Sequence, residues 1–409
     1  MTPEELFGMA LGLSLPWKVE SSVIEGGELR IRIGFERGVK FDGLPVHDTV
    51  ERSWRHLNFW QYATVLTARV PRVKDKDGKV TQVEVPWARP GSGFTALFEA
   101  VALTMMRSCP VSETARILGV DDMALWRLLE RSVTRARAEA DYSSVRRVGV
   151  DETSCRKGQD YISVFVDLDA RRVLFACRGR AASSVEKFKK DLIEHGGSPK
   201  GIEAFSCDMG PAFISGIGEH FPDSAVVLDK FHLVKMLGEA VERTRKEDTR
   251  LQRSSKGARF LWLKNPSRLS EREQRELRRL RQEPAFAKTA EAYRLRLAFQ
   301  EVFTVESSSA ERILDAWLDA ALNCGVVAVE RVAESFLKAR DKILSWFQNR
   351  ISNGILEALN SVLQSAKRRA RGYANPNHMI LVSYLMHGKF DLSAHRAARR
   401  ASTSITHSM

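Results

Sequence analysis

The stretch from Arg146 to Arg180, RRVGVDETSCRKGQDYISVFVDLDARRVLFACRGR, constrains the fold more than any other part of the chain. A valine-rich run, Val148 to Val150, meets the adjacent acids Asp151 and Glu152, and two further apolar runs follow at once around a turn at Asp169 to Arg171. Alternating β-branched and aromatic residues over such lengths read as strands. Three consecutive strands therefore open a sheet, with a carboxylate at the tip of the first. Next come a helical stretch (SSVEKFKKDLIEH), a strand ending at Asp208, the helical GPAFISGIGEHF, and a strand ending at Asp229. Strand, strand, strand, helix, strand, helix, strand, helix is the order of a ribonuclease-H-like core, a mixed sheet with helices on its faces.

Carboxylates at the carboxyl ends of strands stay near a sheet edge, where a metal can reach them, whereas inside the sheet an unpaired charge is costly. Asp151 and Asp208 are read as occupying such ends. Phosphodiester cleavage by two divalent ions about 4 Å apart needs a compact set of hard oxygen ligands, so a third acid is expected. The segment SNGILEALNSVLQSAKRRARGY supplies one. On a helix, Asn353, Glu357, Asn360, Gln364, Arg368 and Arg371 recur at steps of three or four and share a polar stripe, with Ile355, Leu359, Val362 and Ala366 opposite. That stripe would set Glu357 at the metals and line Arg368 and Arg371 along a phosphate backbone, with Lys367 and Arg369 of the same basic run as further DNA-binding candidates. An amphipathic surface helix explains the same periodicity.

Charge agrees with a polyanionic partner: 64 Lys and Arg against 51 acids give a net +13, which favours nucleic acid over an acidic small molecule. The 44% apolar content is enough for sizeable cores. No apolar run approaches the roughly 20 residues of a membrane helix and no basic leader is seen, so a cytoplasmic protein without membrane association is expected. Five scattered cysteines, with no CxxC pair, fit buried reduced thiols rather than disulfides or structural zinc.

The expected organisation is an α+β, multidomain one. Residues 1–92 form a small β-rich DNA-binding module, read from ELRIRIGFERG, YATVLTARVPRV and KVTQVEVPWA. Residues 93–142 form a helix-turn-helix, with Gly119 at its turn, Ala115 facing inward, and a second helix from about Asp122 to Arg135 presenting Arg127 and Arg131 to a major groove. An ordinary helical hairpin is the alternative. Residues 143–242 make the first part of the core. Residues 243–340 make a charge-dense helical insertion, either solvated or lying along DNA. Residues 341–390 return to the core with the Glu357 helix, and 391–409 are a polar, frayed tail.

In order and spacing, VGVDETSCRKGQDYISVFVD, CDMGPAFISGI, LDKFHLVK, KGARFLWLKNP, NGILEALN with KRRARGY, and the N-terminal WRHLNFW and VPWA resemble bacterial insertion-sequence transposases of the DDE type, ISL-three branch. The similarity covers most of the chain. It implies Asp151, Asp208 and Glu357 as catalytic, magnesium-binding acids (manganese being possible), with Asp229 and His232, the D-x-x-H of LDKFH, and Asn353 and Asn360 supporting them. Glu152 is expected on the other side of the pleat. The implied activity is metal-dependent cleavage at 3′ ends of terminal inverted repeats and strand transfer into target DNA, by a homodimer or larger assembly on double-stranded DNA. One departure stands out: this branch commonly carries a cysteine zinc module near the N-terminus, but residues 1–108 contain no cysteine. His47 and His56 alone cannot make a tetrahedral site, so no zinc is expected. A catalytically silent DNA-binding regulator, or a metal nuclease without strand transfer, are the competing functions.

Overall fold

The computed structural model describes residues 1–156, 159–179, 182–252, 258–351 and 354–389. It divides into two compact units, one of residues 1–140 with the chain from Leu363 onward, the other Asp141–Val362.

The first unit begins with helix α1 (Pro3–Ala10), capped by a reciprocal Thr2–Glu5 box. Strands β1 (Trp17–Glu25), β2 (Glu28–Phe35), β3 (Lys40–Phe41), β4 (Leu44–Phe59) and β5 (Tyr62–Lys74) form a sheet in the order β1-β2-β5-β4-β3, with β6 (Val80–Gln82) also on β5. All pairings are antiparallel except β2 with β5. The tryptophans of the two N-terminal motifs have a physical role here. Trp54 and Trp87 pack edge to face at 5.5 Å, Trp17 and Trp87 at 5.0 Å, and all three are buried. Such pairs add specific geometry to a large buried area. A helical segment follows: α2 (Ala96–Ser108), α3 (Val111–Leu118) and α4 (Asp122–Ala138). Gly119 ends α3 in the left-handed conformation at φ 64°, Asp121 caps α4 by accepting from the Ala124 N–H at 3.1 Å, and Ala115 is buried. A left-handed turn residue followed by a carboxylate N-cap is what sets two helices at a sharp angle in so few residues.

The second unit is built on a five-stranded sheet of β7 (Arg147–Arg156), β8 (Gln159–Asp167), β9 (Arg172–Arg178), β10 (Ala204–Cys207) and β11 (Ala225–Leu228), in the order β11-β10-β7-β8-β9. The first three strands pair antiparallel, and β10 and β11 join in parallel through α5 (Ala182–Glu194) and α6 (Pro211–His220). Val148, Val150, Phe165 and Phe205 are buried on the α5 and α6 face, where Phe165 stacks on Phe188 of α5 at 4.5 Å. Strand alternation sends Gly149 and Asp151 to the opposite face.

The helices α7 (Lys230–Gln252), α8 (Arg259–Leu263), α9 (Glu271–Gln282), α10 (Ala287–Val302), α11 (Ser307–Leu322), α12 (Val327–Lys338) and α13 (Arg340–Asn349) complete this unit. The charge-dense insertion has a core of its own: Trp262, Phe286, Tyr293, Phe299 and Phe336 are almost fully buried, and Phe299 meets Trp317 at 4.7 Å. The helix α9 is as polar as the charge density suggests, and two of its arginines pair along the helix, Arg275 with Glu271 and Arg279 with Glu276. Finally α14 (Gly354–Arg369) carries Glu357 in its first turn, and α15 (Pro376–His387) packs on α4 in the first unit. Among the described residues, no helix is long and apolar enough to cross a membrane.

Candidate active site

Three aspartates gather at the carboxyl edge of the parallel strands. Asp208 follows β10 directly, and Asp229 follows β11 and begins α7. Asp151 differs from the sequence expectation. It lies inside β7, which runs on to Arg156 as the antiparallel partner of β8. Parallel pairing with β10, however, stops at Gly149 with Ser206. On that side Asp151 is two residues beyond the last ladder partner, so the edge reaches it although the strand does not end. Ligands in open sheets bind outside these carboxyl ends, where the backbone leaves room.

Each acid is oriented by short local bonds. Asp151 Oδ1 accepts the Glu152 N–H at 2.7 Å, and its Oδ2 accepts from the Asn360 side-chain amide. Asp208 Oδ1 accepts the Gly210 N–H at 2.9 Å. Asp229 Oδ1 accepts the Phe231 N–H at 3.0 Å, and its Oδ2 contacts His232 Nδ1 at 2.6 Å. Asp229 is 5% exposed, so it takes up the imidazole instead of facing solvent. That bond raises the His232 proton affinity above its ordinary value. Burial, opposed by the Glu152 N–H bond and the nearby His232 and aggravated by the charges of Asp208 and Asp229, lifts Asp151 to about 6. Burial first, then the charge of Asp229, also raises Glu357, although its side chain is largely open to solvent.

The helix α14 is brought over β7 at two places. A Cβ added at Gly149 would stand 2.6 Å from Leu356 Cδ1 and 2.8 Å from Leu168 Cδ2, so the absence of a side chain there is what admits Leu356. One turn later, Asn360 bonds to Asp151. Glu357 lies between these anchors. It lines a cleft of about 420 Å³ with Asp229, Phe231, Gln300 and Trp346.

The apolar face of α14 is turned by about one residue from the expected one. Leu356, Leu359, Leu363 and Ala366 are buried, whereas Val362 is 37% exposed and Ile355 is only partly covered. The leucine repeat offers more area than the Ile355 and Val362 stripe, and burial follows area. Arg371 falls outside the helix, which ends at Arg369, and has φ 56°. Arg368, Arg369 and Arg371 are exposed, and Arg369 also bonds to the Ser108 carbonyl; Lys367 is partly buried. Arg127 and Arg131 stand on the exposed face of α4. Asn353 lies outside the described residues. Gly149 and Leu356 were not singled out in the sequence, although a glycine inside a valine run is the mark of a close approach in a strand.

The donor set suits a hard divalent cation. It consists of carboxylate oxygens, and a cation would favour the ionised form of Asp151, which burial first, and the charges of Asp208 and Asp229 after it, disfavour. Among the described residues, no three His, Cys, Asp or Glu side chains are close enough to enclose one ion. Magnesium does not need such a cage, since it keeps waters and binds through one or two carboxylates together with substrate phosphates.

A transposase family model matches residues 148–383, and the model of the helix-turn-helix domain of transposase family ISL3 matches residues 83–133. The transposase for insertion sequence element IS1557 of Mycobacterium tuberculosis is 25% identical over 368 residues, covering 82% of this chain and 81% of that protein. The transposase for insertion sequence element IS1001 of Bordetella parapertussis is 26% identical over 348 residues, covering 82% of this chain and 84% of its own.

Proposed function

The chain belongs to the ISL3 family of DDE transposases, and from that premise we propose that it cuts the 3′ ends of its insertion sequence and joins them to target DNA, using Asp151, Asp208 and Glu357. The observation that carries this reading is the meeting of Asp151 and Asp208 at one sheet edge with a helix tied to that edge by the Asn360–Asp151 bond, Glu357 being in its first turn. The strand order β11-β10-β7-β8-β9, three antiparallel strands followed by two parallel ones, supports a ribonuclease-H-like core.

Magnesium or manganese held by these three acids would supply a Lewis acid that eases deprotonation of the attacking oxygen and neutralises charge on the phosphate. The chain's own groups do the rest. Asn360 fixes the rotation of the Asp151 carboxylate. Asp229 holds the His232 imidazole by one nitrogen, leaving the other for the DNA strand. Water attacks the phosphodiester at the element's end and leaves a free 3′ hydroxyl; that hydroxyl then displaces a 3′ oxygen of the target in the same way, so no covalent link to the protein forms. Arg127, Arg131 and the basic run from Lys367 to Arg371 hold the duplex, the terminal inverted repeats being read by the N-terminal unit. The active form is a dimer or larger assembly on two ends. Replacing Asp151 or Asp208 with Ala is expected to abolish cleavage of element ends while end binding persists; loss of binding and cleavage together would contradict the assignment.

A further inference from the structure

A second cleft, of about 660 Å³, opens between α7, α8 and α10, and it contains a charge the fold leaves unsatisfied. Arg296 of α10 is 7% exposed. Among the described residues its Nε and Nη1 have no hydrogen-bond partner, and its Nη2 makes one long bond, 3.3 Å, to Asn265 Oδ1. Burying a guanidinium without a counter-charge costs far more than burying a neutral group, so such an arginine needs a partner that arrives from outside. Two features keep it reachable. Gly238 of α7 stands beside it, the nearest atom to a Cβ placed there being Arg296 Nε at 3.9 Å. A glycine inside a 23-residue helix is unfavourable in propensity, and here it leaves the cleft open. The walls also carry Glu239, Glu242 and Glu247, of which Glu242 is held by Arg245, Lys246 and Arg259, while Lys235, Arg243 and Arg250 are exposed, so the lining keeps an excess of positive charge.

This cleft adjoins the site of the acids. Phe231 and Val234 line both. Asn265 Oδ1 also accepts from Gln300, one turn from Arg296 on α10, and Gln300 lines the cleft of Glu357. We infer that the α7/α10 cleft takes a backbone phosphate of the DNA strand engaged by the carboxylates, and that Arg296 is its buried positioning residue. The inference rests on the transposase reading above. A planar guanidinium with free donors matches phosphate oxygens, and the exposed cations around it suit the rest of a polyanion.

The test compares Arg296→Met and Gly238→Leu with wild type, using a labelled duplex of the element's ends in chelator and reading anisotropy across a salt series, with thermal melts of each protein alone. Met removes the unpaired charge, so that variant is expected to melt higher by about 2 °C or more. It should bind the duplex about tenfold or more weakly, with the slope of log affinity against log salt smaller by about one. Leu at position 238 leaves the guanidinium and fills the cleft, and should weaken binding likewise. Unchanged affinity in both variants would overturn the inference. Weaker binding by an Arg296→Met protein that melts lower would overturn it too, because the arginine would then be serving the fold. Inorganic phosphate and a deoxynucleoside monophosphate form the other arm: if either raises wild-type melting through Arg296 while the Met variant holds DNA normally, the site serves a free phosphate ester and not DNA. Failure of the transposase reading is separately visible, since wild type would then make no metal-dependent product.

Discussion

At the scale of single residues, Gly149 decides how closely α14 approaches the strand that carries Asp151. Gly149 is the point of contact between β7 and α14, and an added methyl would intrude on Leu356 and Leu168 at under 3 Å. Gly149→Ala is therefore expected to destabilise the chain by about 1–3 kcal/mol, as overpacking does. Adding Leu356→Ala should recover part of that loss, because the clash is with that side chain. Urea unfolding of the single and double variants checks this; strictly additive effects would contradict it. His56 gives a prediction of a different kind. Burial, and then the charge of Arg55, push its pKa down to about 4, and its Nδ1 contacts Thr95 Oγ1 at 2.8 Å. The unfolded chain binds this proton near pH 6.5 and the folded chain only near 4. Stability is thus full above about 6.5, falls as the pH drops through that window, and has lost up to about 3 kcal/mol below it. His56→Gln should flatten the slope between pH 7 and 4.5, and an unaltered slope would show that His56 is not its source.

At the scale of elements, much of the second unit was legible. Runs of β-branched residues read as strands wherever they are buried on both faces, so the order of β7 to β11 with their helices followed from pattern, as did the αL turn at Gly119. What pattern did not resolve depends on partners. The long strand β4 alternates partly covered and exposed positions from Leu44 to Glu51 with polar residues on both, and it reads as polar until its pairing with β5 is known. The end of β7 could not be placed from sequence, since Asp151 is at an edge only by virtue of where β10 stops. The one-residue turn of α14 was set by which leucines found a surface. The insertion's composition hid its aromatic core, because charged residues outnumber the few large rings that fill it. The helix α4 yields a test: Arg127 and Arg131 are exposed. Alanine at either should leave melting nearly unchanged, within about 0.5 kcal/mol. It should also weaken binding to element ends; unaltered DNA affinity in both would remove α4 from the interface.

At the scale of the whole molecule, a net charge of +13 is distributed over a chain that spends many of its arginines in local pairs. On the proposed reading, DNA is the counter-charge for the exposed arginines of α4 and of the end of α14, and for Arg296. The acids form the opposite case, a small negative cluster within a basic protein, and such a cluster persists in a phosphate-binding surface only if cations neutralise it. The measurement that tests this most directly is a cleavage and strand-transfer assay on linear DNA carrying the element's own ends, comparing wild type with Glu357→Ala in magnesium, in manganese and in chelator. The account predicts free 3′ ends and joined products from wild type in either metal, none in chelator, and none from Glu357→Ala although it still binds the ends. Products from the Glu357→Ala protein at wild-type level would contradict the account, because α14 would then not be bringing the third acid to the strand.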